Sequence, residues 1–484
     1  MAGEVREILP NSVQGAFSPD GSHIAYWKDS KYWISGRSGE DQREIVALDT
    51  RYEFRGPKWS PDGKRLVYLK NKFGSGESAV EAHTLVDNSI TAIFEGKGLL
   101  DFWLTSGGRL IYSQAAASEE PTYELWEVLV DPHTAKSSGQ PHRLTRWVGY
   151  SPGFVSVSAD GKRIVTTKGY SQSDVYVAEL EAGGRTMKPQ RRVTLDTRSD
   201  WPTAWTQDDR EILFFSDRNG AFNIFRQGEA AQSPEQVLRG RDDARAPQIS
   251  PDGQWLLYMA WPDLKRSSPV RIMRIPRSGG AAQAVFEAKG AFATGITFSP
   301  GGDQDLQLKG PKMFPDFRCP SASPKPFSCI LAEAEHDEVV FTFFDPVEGR
   351  GGEASRLQIT PAKLFWDLAP DGSRIAYGEF KSSPDDRVII RTLQGAITRE
   401  VPVTGWTTLN SLSWSADGRD LFVTTLRREG SDLLRVTPDG NVVALRQETG
   451  RWFASPRPSH NGRLLAFAVR TTDSNVWLIE AKAE

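Results

Sequence analysis

Apolar and polar residues alternate in short bursts along the whole chain, and a recurring polar turn separates the bursts. The clearest copies are FSPDGSHIAY from Phe17, WSPDGKRLVY from Trp59, ISPDGQWLLY from Ile249, LAPDGSRIAY from Leu368 and WSADGRDLFV from Trp414. Each reads as strand, tight turn, strand. Pro presets the backbone angle, Asp accepts nearby backbone N–H groups, and Gly takes the positive-φ position that closes the turn. The flanking residues are rich in Ile, Val, Leu, Tyr, Phe and Trp, as half-buried or buried strands require. No segment holds a helical period, so the pattern predicts an all-β chain.

The unit recurs at roughly 42–54 residues, the spacing of a repeat architecture. The copy at Ile249 shows its anatomy: strands Pro247–Ser250, Trp255–Ala260, Val270–Pro276 and Gln283–Ala288. Four-stranded units repeated radially make a β-propeller. About ten blades are expected, near 11–50, 51–95, 99–146, 153–195, 200–239, 245–289, 315–360, 364–402, 408–447 and 452–480. The seventh is the most worn; its strands are read as Phe317–Cys319, Cys329–Glu335, Glu338–Phe344 and Ala354–Ile359. The stretch from Ala291 to Pro315 is an insertion or the remnant of another blade. The last unit has only three strands, so the strand-like Glu4–Pro10 is expected to supply its fourth and close one ring. Two smaller rings are the alternative.

Composition fits that fold. Hydrophobic residues make up 38% and charged residues 25% of 484, and 15 Trp and 24 Phe supply large core side chains. With 59 basic and 62 acidic residues interspersed, the net charge of −3 argues against a nucleic-acid surface or a polybasic membrane patch. There is no apolar run of membrane-spanning length and no secretory signal at the N-terminus. Insertion into a membrane by this chain itself is therefore not expected. The two cysteines, Cys319 and Cys329, flank a Pro/Ser-rich stretch and are either unpaired loop thiols or a disulfide that pins it.

The segments SQSDVYVAELEAGG (Ser171–Gly184), LFFSDRNGAFNIF (Leu213–Phe225), FDPVEGRG (Phe344–Gly351) and TTDSNVWLIE (Thr471–Glu480) resemble TolB-type propeller repeats. The resemblance covers essentially the whole chain. It is closer still to propeller regions joined to acidobacterial serine/threonine kinases and to CadC-like winged-helix regulators. It implies an extracytoplasmic, periplasmic propeller that acts as a sensor or interaction module. The sequence has no GxGxxG phosphate loop, no HRD or DFG element and no basic helix-turn-helix. The kinase and DNA-binding activities of such proteins are therefore not carried over, and an upstream module missing from this chain is one explanation of the absent export signal.

Candidate chemistry is sparse. Gly149-Tyr150-Ser151-Pro152-Gly153 matches the nucleophile-elbow formula, but that elbow needs an N–H after the serine and proline has none. It is expected to be an inter-blade loop. The six histidines lack metal-ligand spacing, and the turn aspartates have local work. No catalytic residue, metal ligand or cofactor is expected. Segments preceding the first strand of several blades concentrate Arg, Asp and Trp, and in propellers such loops ring one channel mouth. They nominate Arg198, Asp200, Trp201, Arg245, Trp366, Asp367, Trp406 and Arg457 as ligand-binding candidates. The expected partner is a protein, peptide or small polar ligand. The alternative is a propeller hydrolase or lyase with its active site at the channel mouth.

Overall fold

The computed structural model describes residues 7–29, 31–47, 52–72, 77–115, 123–131, 134–145, 151–158, 160–238, 240, 242–262, 269–289, 315–321, 328–336, 338–359, 364–379, 386–406, 408–427 and 429–480. The chain is an all-β propeller built from antiparallel sheets, most with four strands in meander order. Among the described residues, no helix is long and apolar enough to cross a membrane. The molecule divides into two compact units, residues 1–170 with 473–484 and residues 171–472. The single ten-bladed ring expected from the sequence thus gives way to two units.

The first unit holds three four-stranded sheets, starting at Val13–Phe17, Tyr52–Trp59 and Leu99–Leu104. A further sheet there pairs Ser151–Val157 with the first part of the long strand Arg163–Glu181. Ser151 and Pro152 of the elbow-like motif therefore lie in a strand rather than a loop, while residues 146–150 fall outside the described residues.

The second unit holds six blades. Blades I to V have first strands Asp200–Trp205, Asp243–Ile249, Asp316–Arg318, Leu364–Leu368 and Leu409–Trp414, and each sheet runs in simple strand order. In the worn blade III the remaining strands are Cys329–Glu335, Glu338–Asp345 and Gly349–Gln358. Its neighbour segment, 290–314, lies outside the described residues. Blade VI is assembled from distant pieces. Arg451–Pro458 pairs with the first part of Leu464–Glu480, the second part of Arg163–Glu181 lies next, and Arg191–Arg192 pairs with Tyr176 and Val177 on its far side.

This assembly differs from the expected division into blades. The strands expected as separate blades near 153–195 and 452–480 share one sheet, because both contain one strand long enough to serve it throughout. The strand beside Leu464–Glu480 is Arg163–Glu181. Residues 7–10 carry no strand, and Glu4–Arg6 fall outside the described residues.

Each interface between blades of the second unit is packed by alternate residues of the facing strands, as period-2 patterning demands. Between blades IV and V lie Ala376, Val388, Ile390, Leu412, Trp414, Val423 and Leu434, and between VI and I lie Val175, Val177, Trp205, Phe214 and Ala466, all buried. Burying such side chains stabilises the fold by about 1.5–3 kcal/mol each.

Candidate functional site

The repeated turn fixes one end of the first strand in blades I, II, IV, V and VI. In blade II, Ser250 Oγ donates to Asp252 Oδ1 (2.5 Å) and accepts the N–H of Trp255 (2.9 Å). Asp252 Oδ1 also accepts the N–H of Gln254 at 3.0 Å. Gly253 closes the turn at φ +71°, where its missing Cβ leaves room for Gln207 of blade I. The same serine or threonine contact recurs at Ser415–Asp417, Thr206–Asp208 and, with asparagine, Ser459–Asn461. Four of the five turns among the described residues are thus pinned by one mechanism.

Strand register identifies one equivalent rung in all six first strands. Ala204 faces Leu213, Gln248 faces Leu257, Arg318 faces Ile330, Asp367 faces Ala376, Ser413 faces Phe422 and Arg457 faces Ala466. These six residues line a single cavity of about 150 Å³, which extends to the turn residues Ser250, Pro251, Pro370, Ala416 and His460. The cavity is therefore the axial channel of the ring, at the turn ends of the first strands.

Hydrogen bonds around this channel run from blade to blade without a gap. Thr203 Oγ1 donates to Pro247 O (2.8 Å), and Gln248 both donates to Phe317 O (2.6 Å) and accepts from Cys319 N (2.9 Å). Arg318 Nε meets Asp367 Oδ1 at 3.1 Å, and Asp367 Oδ2 accepts the N–H of Trp414 at 3.0 Å. Ser455 N donates to Ser411 Oγ (3.0 Å), and Trp205 Nε1 donates to Arg457 O (2.9 Å). The last tie joins blades I and VI and closes the ring. Asp209 reinforces it by accepting the N–H groups of His460 (2.7 Å) and Asn461 (2.9 Å), and its Oδ1 lies 2.7 Å from His460 Nδ1.

The charges of the channel are unevenly matched. Arg318 pairs with Asp316 (2.7 Å) and Asp367 (3.1 Å) and stacks over the Trp366 ring at 5.3 Å. Burial works to lower its pKa, but the two carboxylates outweigh it and hold the guanidinium above its ordinary value. Arg457 donates to the neighbouring Pro456 carbonyl at 3.0 Å, and no ion pair to it occurs among the described residues. Burial, and then the positive charge of Arg318, bring its pKa down to about 10. It is still a cation at neutral pH.

Of the eight sequence candidates, the channel brings together Asp367 and Arg457. The other six lie outside its lining. Asp200 is fully buried, accepts from Arg218 Nη2 at 3.0 Å, and has its pKa raised by burial. Arg198 and Trp201 beside it are half-buried. Arg245 makes a two-pronged pair with Asp243 (2.7 and 2.9 Å) over the Phe222 ring. Trp366 is buried edge-on to Phe341, and Trp406 packs on the apolar cluster of blades IV and V. Sequence reasoning missed Gln248, Arg318 and Ser413. The available signal was position: each lies one register step before the turn, whatever its side chain.

Cys319 and Cys329 form a disulfide within blade III, with Cys329 fully buried. Among the described residues, no group of three or more His, Cys, Asp and Glu side chains could hold a metal ion. Ser459, next to His460 at the cavity rim, donates its hydroxyl proton to Asn461 Oδ1 (2.9 Å), so its proton is turned to the turn rather than to the imidazole.

No protein-family model matches the chain. An uncharacterized protein of Agrobacterium fabrum is 26% identical over 277 residues, covering 54% of this chain and 85% of its own length. The Tol-Pal system protein TolB of Wolinella succinogenes is 33% identical over 105 residues, 21% of this chain and 23% of that protein. The crystal structure of TolB from Acinetobacter baumannii aligns over 71% of this chain and 64% of its own, at 14% identity and a TM-score of 0.21. The chain spans less than half the length of the curated TolB proteins it matches. The sequence matches support a TolB-like β-propeller.

Proposed function

We propose that the six-bladed unit is a non-catalytic binding module that receives a polar segment of a protein or peptide at the turn end of its channel. One observation carries this reading: a polar cavity lined by the equivalent rung of all six blades. At about 150 Å³ it has room for on the order of ten waters, or for a small polar group that displaces them. The side chains on that rung differ from blade to blade, as specific recognition requires, while the turns that place them are repeated. A sensor role, with the propeller reporting an external ligand to a signalling partner, is the finer form of the same proposal. An extracytoplasmic setting accords with it, since the Cys319–Cys329 disulfide is suited to an oxidising compartment.

The test is a random peptide library panned against the full chain, with selected peptides then measured on Ala204→Trp. The larger side chain fills the cavity from a rung that makes no tie of its own. Binding lost in that variant supports the channel as the docking mouth; peptides that bind both proteins equally contradict it.

A further inference from the structure

We infer that the channel of the six-bladed unit is a carboxylate-binding site, with the Arg457 guanidinium as its principal donor and Ser413 Oγ as a second. This rests on the binding reading above and names the chemistry it would recognise.

The argument is one of unmet valence. A guanidinium in a largely enclosed site is costly unless a carboxylate and hydrogen-bond acceptors compensate it. Arg318, three blades away on the same rung, is so compensated by Asp316 and Asp367. Among the described residues, the Arg457 side chain donates to the neighbouring Pro456 carbonyl alone, although the carboxylates of Asp316 and Asp367 are near enough to act on it electrostatically. Both carboxylates already serve Arg318. Ser413 supplies an independent observation. The residue lines the same cavity, and its side-chain oxygen is buried with no hydrogen-bond partner among the described residues. Buried hydroxyls in that condition are uncommon.

These groups define the ligand. A guanidinium fork and a hydroxyl are donors, so the ligand must accept. Arg318 and Arg457 set two positive charges against the Asp316 and Asp367 carboxylates, with Arg457 the unpaired member. A monoanion matches Arg457, which has no ion pair among the described residues, whereas a dianion would face Asp367 across a small cavity. A carboxylate fits on charge, on donor geometry and on size. It is supplied by a free small acid or by the C-terminus of a polypeptide.

Calorimetric titration of the full chain at pH 7 with sodium acetate, triglycine, triglycine amide and inorganic phosphate tests the assignment. Acetate should bind with a Kd on the order of 1–10 mM, as a single charge-assisted contact in a wet site allows. Tighter binding of triglycine than of acetate or the amide identifies a polypeptide terminus as the source; equal binding of acetate and triglycine identifies a small acid. Arg457→Met should weaken acetate by at least about tenfold, Arg457→Lys by about threefold, and Ser413→Ala by about two- to fivefold. Arg457→Met should unfold at no lower temperature than wild type, since it removes an unpaired cation. Absence of saturation up to roughly 100 mM acetate, or phosphate binding tighter than acetate through Arg457, overturns the assignment. Acetate binding unchanged in Arg457→Met overturns it too but leaves the docking mouth standing. If Ala204→Trp also binds every probe as wild type does, the docking reading falls with it.

Discussion

Replacing Asp367 by alanine should destabilise the six-bladed unit more than any other single change on the channel rung. Asp367 links three successive blades through the Arg318 Nε contact at 3.1 Å and the Trp414 N–H at 3.0 Å. Both side chains of the ion pair are largely buried, 14% exposed for Asp367 and 15% for Arg318, so solvent screening discounts the interaction little. Removal leaves the N–H of the buried Trp414 without its acceptor, at a cost of about 1–3 kcal/mol. Arg318 retains Asp316 at 2.7 Å, so its guanidinium is not orphaned, and the lost charged contact costs about 1.5–3 kcal/mol. The expected total is about 2.5–6 kcal/mol, a range that brackets the 3–5 of a broken buried pair. Asp367→Asn keeps an oxygen for Trp414 and should lose only about 1–2 kcal/mol. With a slope near 3 kcal/mol per molar urea, Asp367→Ala should lower the midpoint by about 1–2 M. Urea unfolding at pH 7, followed by tryptophan fluorescence and circular dichroism together, reads the difference. If both variants stay within about 0.5 kcal/mol of wild type, or alanine and asparagine cost the same, the blade-to-blade circuit is not what holds the ring.

Three further outcomes follow from other features. Trp205→Phe removes the indole donor to Arg457 O and should cost about 1–2 kcal/mol in the same assay; no change would place ring closure elsewhere. Reducing Cys319–Cys329, with a sequence separation of 10, should cost about 2–3 kcal/mol by the loop-entropy estimate, read as a drop in thermal midpoint on adding reductant that the double serine variant does not show further. Acid should weaken the fold through its turns. Hydrogen bonds from serine or threonine lower the carboxyls of Asp20, Asp160, Asp208 and Asp439, with Asp20 down at about 2 from its ordinary 3.8. A depressed carboxyl contributes stability above its unfolded pKa and loses it as pH falls through the folded value, so stability should decline from about pH 4 towards 2. Burial raises Asp174, Asp200 and Asp217, which act in the opposite sense. Ser18→Ala should therefore flatten the acid limb, measured as thermal midpoint against pH; a limb as steep as in wild type would contradict the turn account.

The strand plan was legible because it is written locally. The Ser-x-Asp-Gly turn specifies its own hydrogen bonds within a handful of residues, and the worn blade III still announced Cys329–Glu335 and the strand from Glu338 through period-2 alternation. The joining of Arg163–Glu181 to Leu464–Glu480 was not legible. It depends on pairing across more than half of the chain, and neither strand carries a turn signal where the two units part. Of the channel, Asp367 and Arg457 stood out through the composition of the segments before the turns. Gln248, Arg318 and Ser413 did not, because the rung is conserved in register while its side chains vary. Arg245 and Asp200 drew notice for the same composition yet are taken up in separate ion pairs, with Asp243 and Arg218.

The central claim is that blades I and VI meet although the residues that join them lie 251 apart in sequence. Cysteines placed at Asp209 and His460 test it, since the two residues touch through a 2.7 Å contact. The account predicts rapid disulfide formation under mild oxidation, within the monomer and only in the folded state. Thiols that stay free until the chain is unfolded, or that link only between molecules, would contradict a closed six-bladed ring.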